Sequence, residues 1–204
     1  MIVRPLAAAI AVGMIPCAAS AQDSFEFSFG GRIASDYISD GESLSDGRPV
    51  LQGYAEVERG LLFGGIWGST IDDGENEFEL ELSLGIRPQL GDLDISLSYA
   101  RTLYDDSGDC CGEVILFVEQ PLSDRISAGT GISYDPGSDE FWLEVLNEYA
   151  FDEVWSISGG VSTDFGTDDE EDGNVVTWDL GVTRAFSETF YGNLRYHYSN
   201  IGTA

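Results

Sequence analysis

Glu77-Phe78-Glu79-Leu80-Glu81-Leu82-Ser83-Leu84-Gly85-Ile86-Arg87, then Leu90-Gly91-Asp92, then Leu93-Asp94-Ile95-Ser96-Leu97-Ser98-Tyr99-Ala100: this stretch decides the fold. Phe78, Leu80, Leu82, Leu84 and Ile86 alternate with Glu77, Glu79, Glu81, Ser83 and Gly85. Leu93, Ile95, Leu97 and Tyr99 alternate with Asp94, Ser96, Ser98 and Ala100. A period of two sustained over so many residues means two extended strands, each with an apolar and a polar row. The Gly-Asp corner joins them as an antiparallel hairpin. Alternation alone does not say which row is hidden. A water-soluble sheet hides the apolar row, whereas a membrane barrel turns it out to lipid.

The same pattern runs outward in both directions. Phe25, Phe27, Phe29, Gly31 and Ile33 face away from Glu26, Ser28 and Arg32 in a first strand. In a second, Leu51, Gly53, Ala55 and Val57 oppose Gln52, Tyr54, Glu56 and Glu58. After a tight turn at Arg59-Gly60, strand three places Leu61, Phe63, Trp67 and Ile71 in one apolar row. Beyond the opening hairpin, Asp105 to Gly112 reads as a loop, and strand six (Glu113 to Gln120) is apolar on both faces, so its orientation stays open. Strand seven sets Ile126, Ala128, Ile132 and Tyr134 against Ser127, Gly129, Gly131 and Ser133. Strands eight to eleven carry apolar rows containing Val145, Val161, Leu180 and Leu194.

Connections read as alternately long and short from the N-terminus, the long ones acidic and Gly-rich. Short periplasmic turns and longer outer loops are the mark of an outer-membrane barrel, whereas Greek-key crossings in a sandwich do not sort loops this way. Strand lengths near ten residues suit a tilted membrane strand. Trp67, Tyr99, Tyr134, Tyr149, Trp155, Trp178 and Tyr198 fall near strand ends, where aromatic girdles belong. The expectation is an all-β, antiparallel up-and-down transmembrane β-barrel. Eleven strands can be read from the sequence; bacterial single-chain barrels use even numbers, so twelve are expected for a closed barrel, and the last strand reads as missing or strand six as misassigned.

The 204 residues suffice for one barrel and not for two sizeable domains. Residues 1–21 read as a secretory signal peptide, with Arg4, an apolar Leu6 to Ile15 and a small-residue Ala19-Ser20-Ala21 site; residues 22–204 are then the barrel. A net charge of −28 with no lysine repels nucleic acid and anionic surfaces, so nucleic-acid binding is set aside and cations are favoured. Cys110 and Cys111 are adjacent. In an oxidising compartment they form a vicinal disulfide, pair between molecules, bind a soft metal, or serve as a loop detail without catalytic meaning. With no histidine nearby they make a poor zinc site.

Ser35-Asp36-Tyr37, Gly41, Ser43, Ser45-Asp46, Pro49 and Gln52-Gly53 together form a signature, and Gly65-Ile66-Trp67-Gly68-Ser69 and the Gly91-Asp92 hairpin accompany it. This pattern resembles the opening of the TorF-family porins, small outer-membrane proteins in which the stretch runs approximately S-x-Y-x-x-R-G-x-S-x-S-D-x-x-P-x-x-Q-G. The resemblance covers nearly all of the chain after residue 21 and implies a porin role in the outer membrane. Asp40 stands where that family has arginine.

If the polar rows line a lumen, Glu26, Glu56, Glu58, Glu79, Glu81, Asp94, Glu144, Glu148 and Asp179 point inward with Arg32, Arg87 and Arg195. An acidic lining favours cations. The alternative is that arginines and carboxylates cross-link and plug a narrow interior, leaving a structural or adhesion barrel. His197, the only histidine, stands two residues before Ser199 in a match to the H-x-S-N motif of outer-membrane lipid A deacylases. No acidic residue follows in the chain, and both sit on the polar row, away from lipid. The expectation is therefore a non-enzyme without cofactor. Its partners are outer-membrane lipid, lipopolysaccharide and small solutes or cations. The acidic run Asp168 to Asp172 lacks the spacing of a calcium loop and reads as solvated.

Overall fold

The structure, a computed structural model, describes residues 24–165 and 174–201. The expected signal peptide and the acidic run 168–172 lie outside the described residues. In chain order the strands are β1 (Glu26–Ala34), β2 (Ile38–Ser39), β3 (Glu42–Ser43), β4 (Val50–Arg59), β5 (Leu62–Thr70), β6 (Phe78–Ile86) and β7 (Gln89–Leu90). They continue as β8 (Leu93–Tyr104), β9 (Gly108–Ser123), β10 (Ile126–Asp135), β11 (Glu140–Ala150), β12 (Trp155–Phe165), β13 (Val176–Ala185) and β14 (Tyr191–Ser199). One 12-stranded sheet runs in the order β1-β4-β5-β6-β8-β9-β10-β11-β12-β13-β14, with β7 added on β8; β2 and β3 form a separate small hairpin. Neighbouring strands pair antiparallel throughout. The fold is an all-β, up-and-down antiparallel sheet.

The opening hairpin forms where the alternation places it. Gln89 and Leu90 pair with Asp94 and Leu93 around a two-residue turn, and Gly91 takes φ +65, a left-handed conformation that glycine adopts without a Cβ clash. Gly60 does the same between β4 and β5 at φ +63.

The two faces of the sheet have the reverse of a soluble protein's polarity. Leu194 is 83 % exposed, Phe29 and Ile33 82 %, while Glu79 and Ser69 are 0 % exposed and Gln52 3 %. Directly paired residues share a face, so the registers carry one sheltered row from strand to strand. Gln52 pairs with Ser69, Ser69 with Glu79, Glu79 with Tyr104, and further on Glu144 with Ser162 and Asp179 with His197.

Four expectations change. Strand three is inverted: Phe63, Trp67 and Ile71 are buried on the sheltered side, and Leu62 and Ile66 carry the exposed face. The glycines Gly64, Gly65 and Gly68 leave that strand's pattern nearly blank, and pairing to Glu56, Tyr54 and Glu81 fixes its orientation instead. Trp67 accordingly leaves the aromatic girdle, while Tyr99, Tyr149, Trp155, Trp178 and Tyr198 stay on the exposed row. The cysteine pair lies inside β9 rather than in a loop, Cys111 opposite Thr102 beside a register shift at Thr102/Leu103, and Cys110 and Cys111 are joined as a vicinal disulfide. Long and short connections do not alternate strictly, since β8 and β9 are separated by 105–107 alone and β6 and β8 by a turn that contains β7.

Strand six, left open by its sequence, is oriented by register. Ile115 faces Ser98, Phe117 faces Ser96 and Glu113 faces Ala100, so this set is sheltered and Val114 and Leu116 are exposed. The ladder does not join β1 to β14 among the described residues, and these two end strands run in the same direction. The segment between β1 and β4 folds inward and forms the molecule's apolar core, with Tyr37, Leu44 and Val50 packed against Trp67 and Ile71.

Candidate functional site: the sheltered polar face

Glu26, Arg32, Glu56, Glu58, Glu79, Glu81, Arg87, Asp94, Glu144, Glu148, Asp179 and Arg195 all fall on the row that pairing carries across the sheltered side. The same row contains acids that the sequence reading did not select, Glu113, Glu119, Asp135, Glu140 and Asp164, and it contains His197, which parity already placed there. Glu113 and Glu119 share a parity along β9, but Ile115 and Phe117 between them hid the polar side.

The arginines on this row are tied down. Arg87 donates to Glu56 through Nη2 at 2.7 Å and to Glu58 through Nη1 at 3.2 Å, and its guanidinium lies 3.9 Å from the centre of the Phe63 ring. Arg195 bonds Asp179 and the Ser158 hydroxyl, and Arg32 bonds the Gln52 side-chain oxygen. Gly181 makes room for the Arg195 guanidinium, because a Cβ there would stand 2.8 Å from Cζ. Bidentate or forked pairing of this kind fixes the cations in place and leaves further carboxylates to set the field.

The inward segment is built by one carboxylate. Asp36 Oδ1 accepts from the Ser43 hydroxyl at 2.6 Å and the Ser45 hydroxyl at 2.8 Å, and Ser45 Oγ accepts the Tyr37 N–H at 3.0 Å. Leu44 N–H closes the loop onto Tyr37 O at 2.8 Å. Tyr37 is 2 % exposed, and burial, then the nearby Glu79, pushes its hydroxyl well above the ordinary tyrosine range. At the far end of the segment Gly41, at φ +86, presses against the Ser199 side chain and the Thr177 methyl. The segment thus spans from the β5–β6 wall to β13 and β14.

His197 and Ser199 share a row on this face, but among the described residues Asp179 and Ser199 are engaged elsewhere. Asp179 stands opposite His197 in register, yet its carboxylate is bonded to Arg195. Ser199 Oγ accepts the Ile201 N–H at 3.1 Å and is covered by Gly41. A relay needs its base hydrogen-bonded to both nucleophile and orienting acid. Among the described residues no group of three or more His, Cys, Asp or Glu side chains has the geometry to hold a metal ion.

Comparison with protein-family models and with curated proteins finds no match for this chain. The resemblance to the TorF-family porins rests on the motif residues alone. Among the motif residues, Asp36, Tyr37, Gly41, Ser43 and Ser45 fold the inward segment.

Proposed function

We propose that the chain is an outer-membrane β-barrel of the TorF porin kind, exported by its signal peptide, whose polar interior passes small hydrophilic solutes with a preference for cations. The observation that carries this reading is the inverted burial: carboxylates, serines and Gln52 are sheltered while Phe29, Leu84 and Leu194 are exposed. An exposed apolar face of this extent costs too much in water and is satisfied by hydrocarbon, with the polar row inside. Antiparallel strands also satisfy their backbone groups within the sheet, as a spanning structure requires. No bond is made or broken in transport. Width selects by size, and the carboxylates beyond those paired with arginine favour cations.

The test is single-channel recording of the refolded chain from Gln22 in a planar bilayer under a salt gradient. Discrete steps with a cation-selective reversal potential are expected. Anion selectivity would remove the acidic-pore mechanism. A folded, inserted and silent protein would favour a second reading, a plugged structural barrel, which the inward segment with its buried Tyr37, Leu44 and Ser45 specifically supports.

A further inference from the structure

Three buried side-chain atoms among the described residues have no hydrogen-bond partner, and they lie together: the Tyr37 hydroxyl and both carboxylate oxygens of Glu79. Glu79 is 0 % exposed. Neither of its register partners, Ser69 and Tyr104, is hydrogen-bonded to its carboxylate. Ser69, opposite in register, accepts from Gln52 at 3.0 Å and donates to Thr70 O at 2.8 Å. Arg87, Arg32 and Arg195 are bonded to Glu56, Gln52 and Asp179. Glu81, Asp73 and Asp40, all of its own sign, act on Glu79 electrostatically, and the Tyr37 hydroxyl stands close enough to act on it as a donor although the pair falls outside strict hydrogen-bond geometry.

A buried carboxylate left in this state is costly and calls for an ion, a water or a proton. We propose that Glu79 and Glu81, with the Tyr37 hydroxyl, bind one hydrated divalent cation beneath the inward segment. Every group offered is oxygen, which selects a hard cation, and a divalent ion that keeps several of its waters needs only one or two carboxylates from the protein. The bound cation neutralises the Glu79–Glu81 pair and anchors Tyr37, holding the segment against the β5–β6 wall. The proposal deepens the cation-preferring reading and rests on it for access from water.

The test is calorimetric titration of magnesium into the refolded chain in zwitterionic micelles. The wild type is expected to show one saturable equivalent above weak binding by the exposed acidic loops. Glu79→Gln and Glu81→Gln each weaken it about tenfold or more, and Tyr37→Phe does so less. Asp168→Asn, in the acidic run 168–172 of the sequence, leaves it unchanged. Gln is close in shape to Glu, and heat-shifted gel mobility confirms that each variant is folded. No saturable equivalent in the wild type, or magnesium affinity unchanged in Glu79→Gln, would overturn the proposal and leave Glu79 to a water or a proton. A chain that binds magnesium through Glu79 but does not conduct would keep this site and sink the pore. A conducting chain without the equivalent would do the reverse.

Discussion

The Tyr37 ring meets the Trp67 ring edge-on, with 5.8 Å between centroids and 61° between planes. Trp67 belongs to the strand wall and Tyr37 to the segment that folds inward, so this contact fastens the one to the other. Edge-to-face aromatic pairs add to the burial of the rings themselves. Trp67→Ala is expected to cost about 3 kcal/mol, as large-to-small aromatic replacements in packed sites do. Urea unfolding in lipid vesicles checks it, and a loss below about 1 kcal/mol would mean that the contact carries little.

Asp36 holds the same segment through the Ser43 and Ser45 hydroxyls. Asp36→Ala leaves two hydroxyls without their acceptor and is expected to cost about 1–3 kcal/mol. In the conducting reading it also raises single-channel conductance, because the segment no longer spans the interior. Conductance equal to wild type in a folded Asp36→Ala protein would show that the segment does not restrict the path.

Leu84 and Ser83 are adjacent in β6 but face opposite ways, Leu84 being 66 % exposed. A charge on a lipid-facing strand position costs about 2–4 kcal/mol near the bilayer midplane. Leu84→Arg is therefore expected to destabilise the vesicle-inserted protein by about that amount, and Ser83→Arg by much less. Equal effects in equilibrium unfolding would contradict the assignment of faces.

Asp152 governs a short turn: its Oδ1 accepts the N–H of Val154 and of Trp155, each at 2.8 Å. These backbone hydrogen bonds hold its carboxyl below the ordinary aspartate range. A depressed folded-state value stabilises the fold above the unfolded-state value, about 3.9, and the contribution disappears as pH falls through the folded value. Thermal unfolding of wild type and Asp152→Ala at neutral pH and at about pH 2 is expected to differ at the first and converge at the second. A difference that persists in acid would place the effect in the turn's shape rather than its charge.

The hairpin of β6 and β8 was legible because its apolar row is unbroken and its opposite row holds Glu79, Glu81, Asp94 and Ser96. The sequence of β5 misled because glycine supplies no polarity and because the sheltered side accepts aromatics such as Phe63 and Trp67 where Tyr37 and Arg87 cover them. In β9 both rows are apolar, so only pairing with Ser96 and Ser98 decides the face. The carboxylates of the candidate lining followed from parity alone. Their partners did not, since Arg87 meets Glu56 at a sequence separation of 31 and Arg195 meets Ser158 at 37. The inward segment was visible as a motif, but its burial depends on walls supplied by β5, β13 and β14.

Tryptophan quenching by brominated lipid tests the central claim, that the apolar row meets lipid, most directly. Trp155 and Trp178 lie on the exposed row at 42 % and 39 %, whereas Trp67 and Trp142 are sheltered at 7 % and 4 %. Variants of the refolded chain, each retaining one tryptophan with the others changed to phenylalanine, are inserted into vesicles of brominated phosphatidylcholine. Strong quenching of Trp155 and Trp178 with Trp67 and Trp142 spared is the expected result. Quenching of Trp67 and Trp142 instead, or of none in a folded protein, would contradict the account.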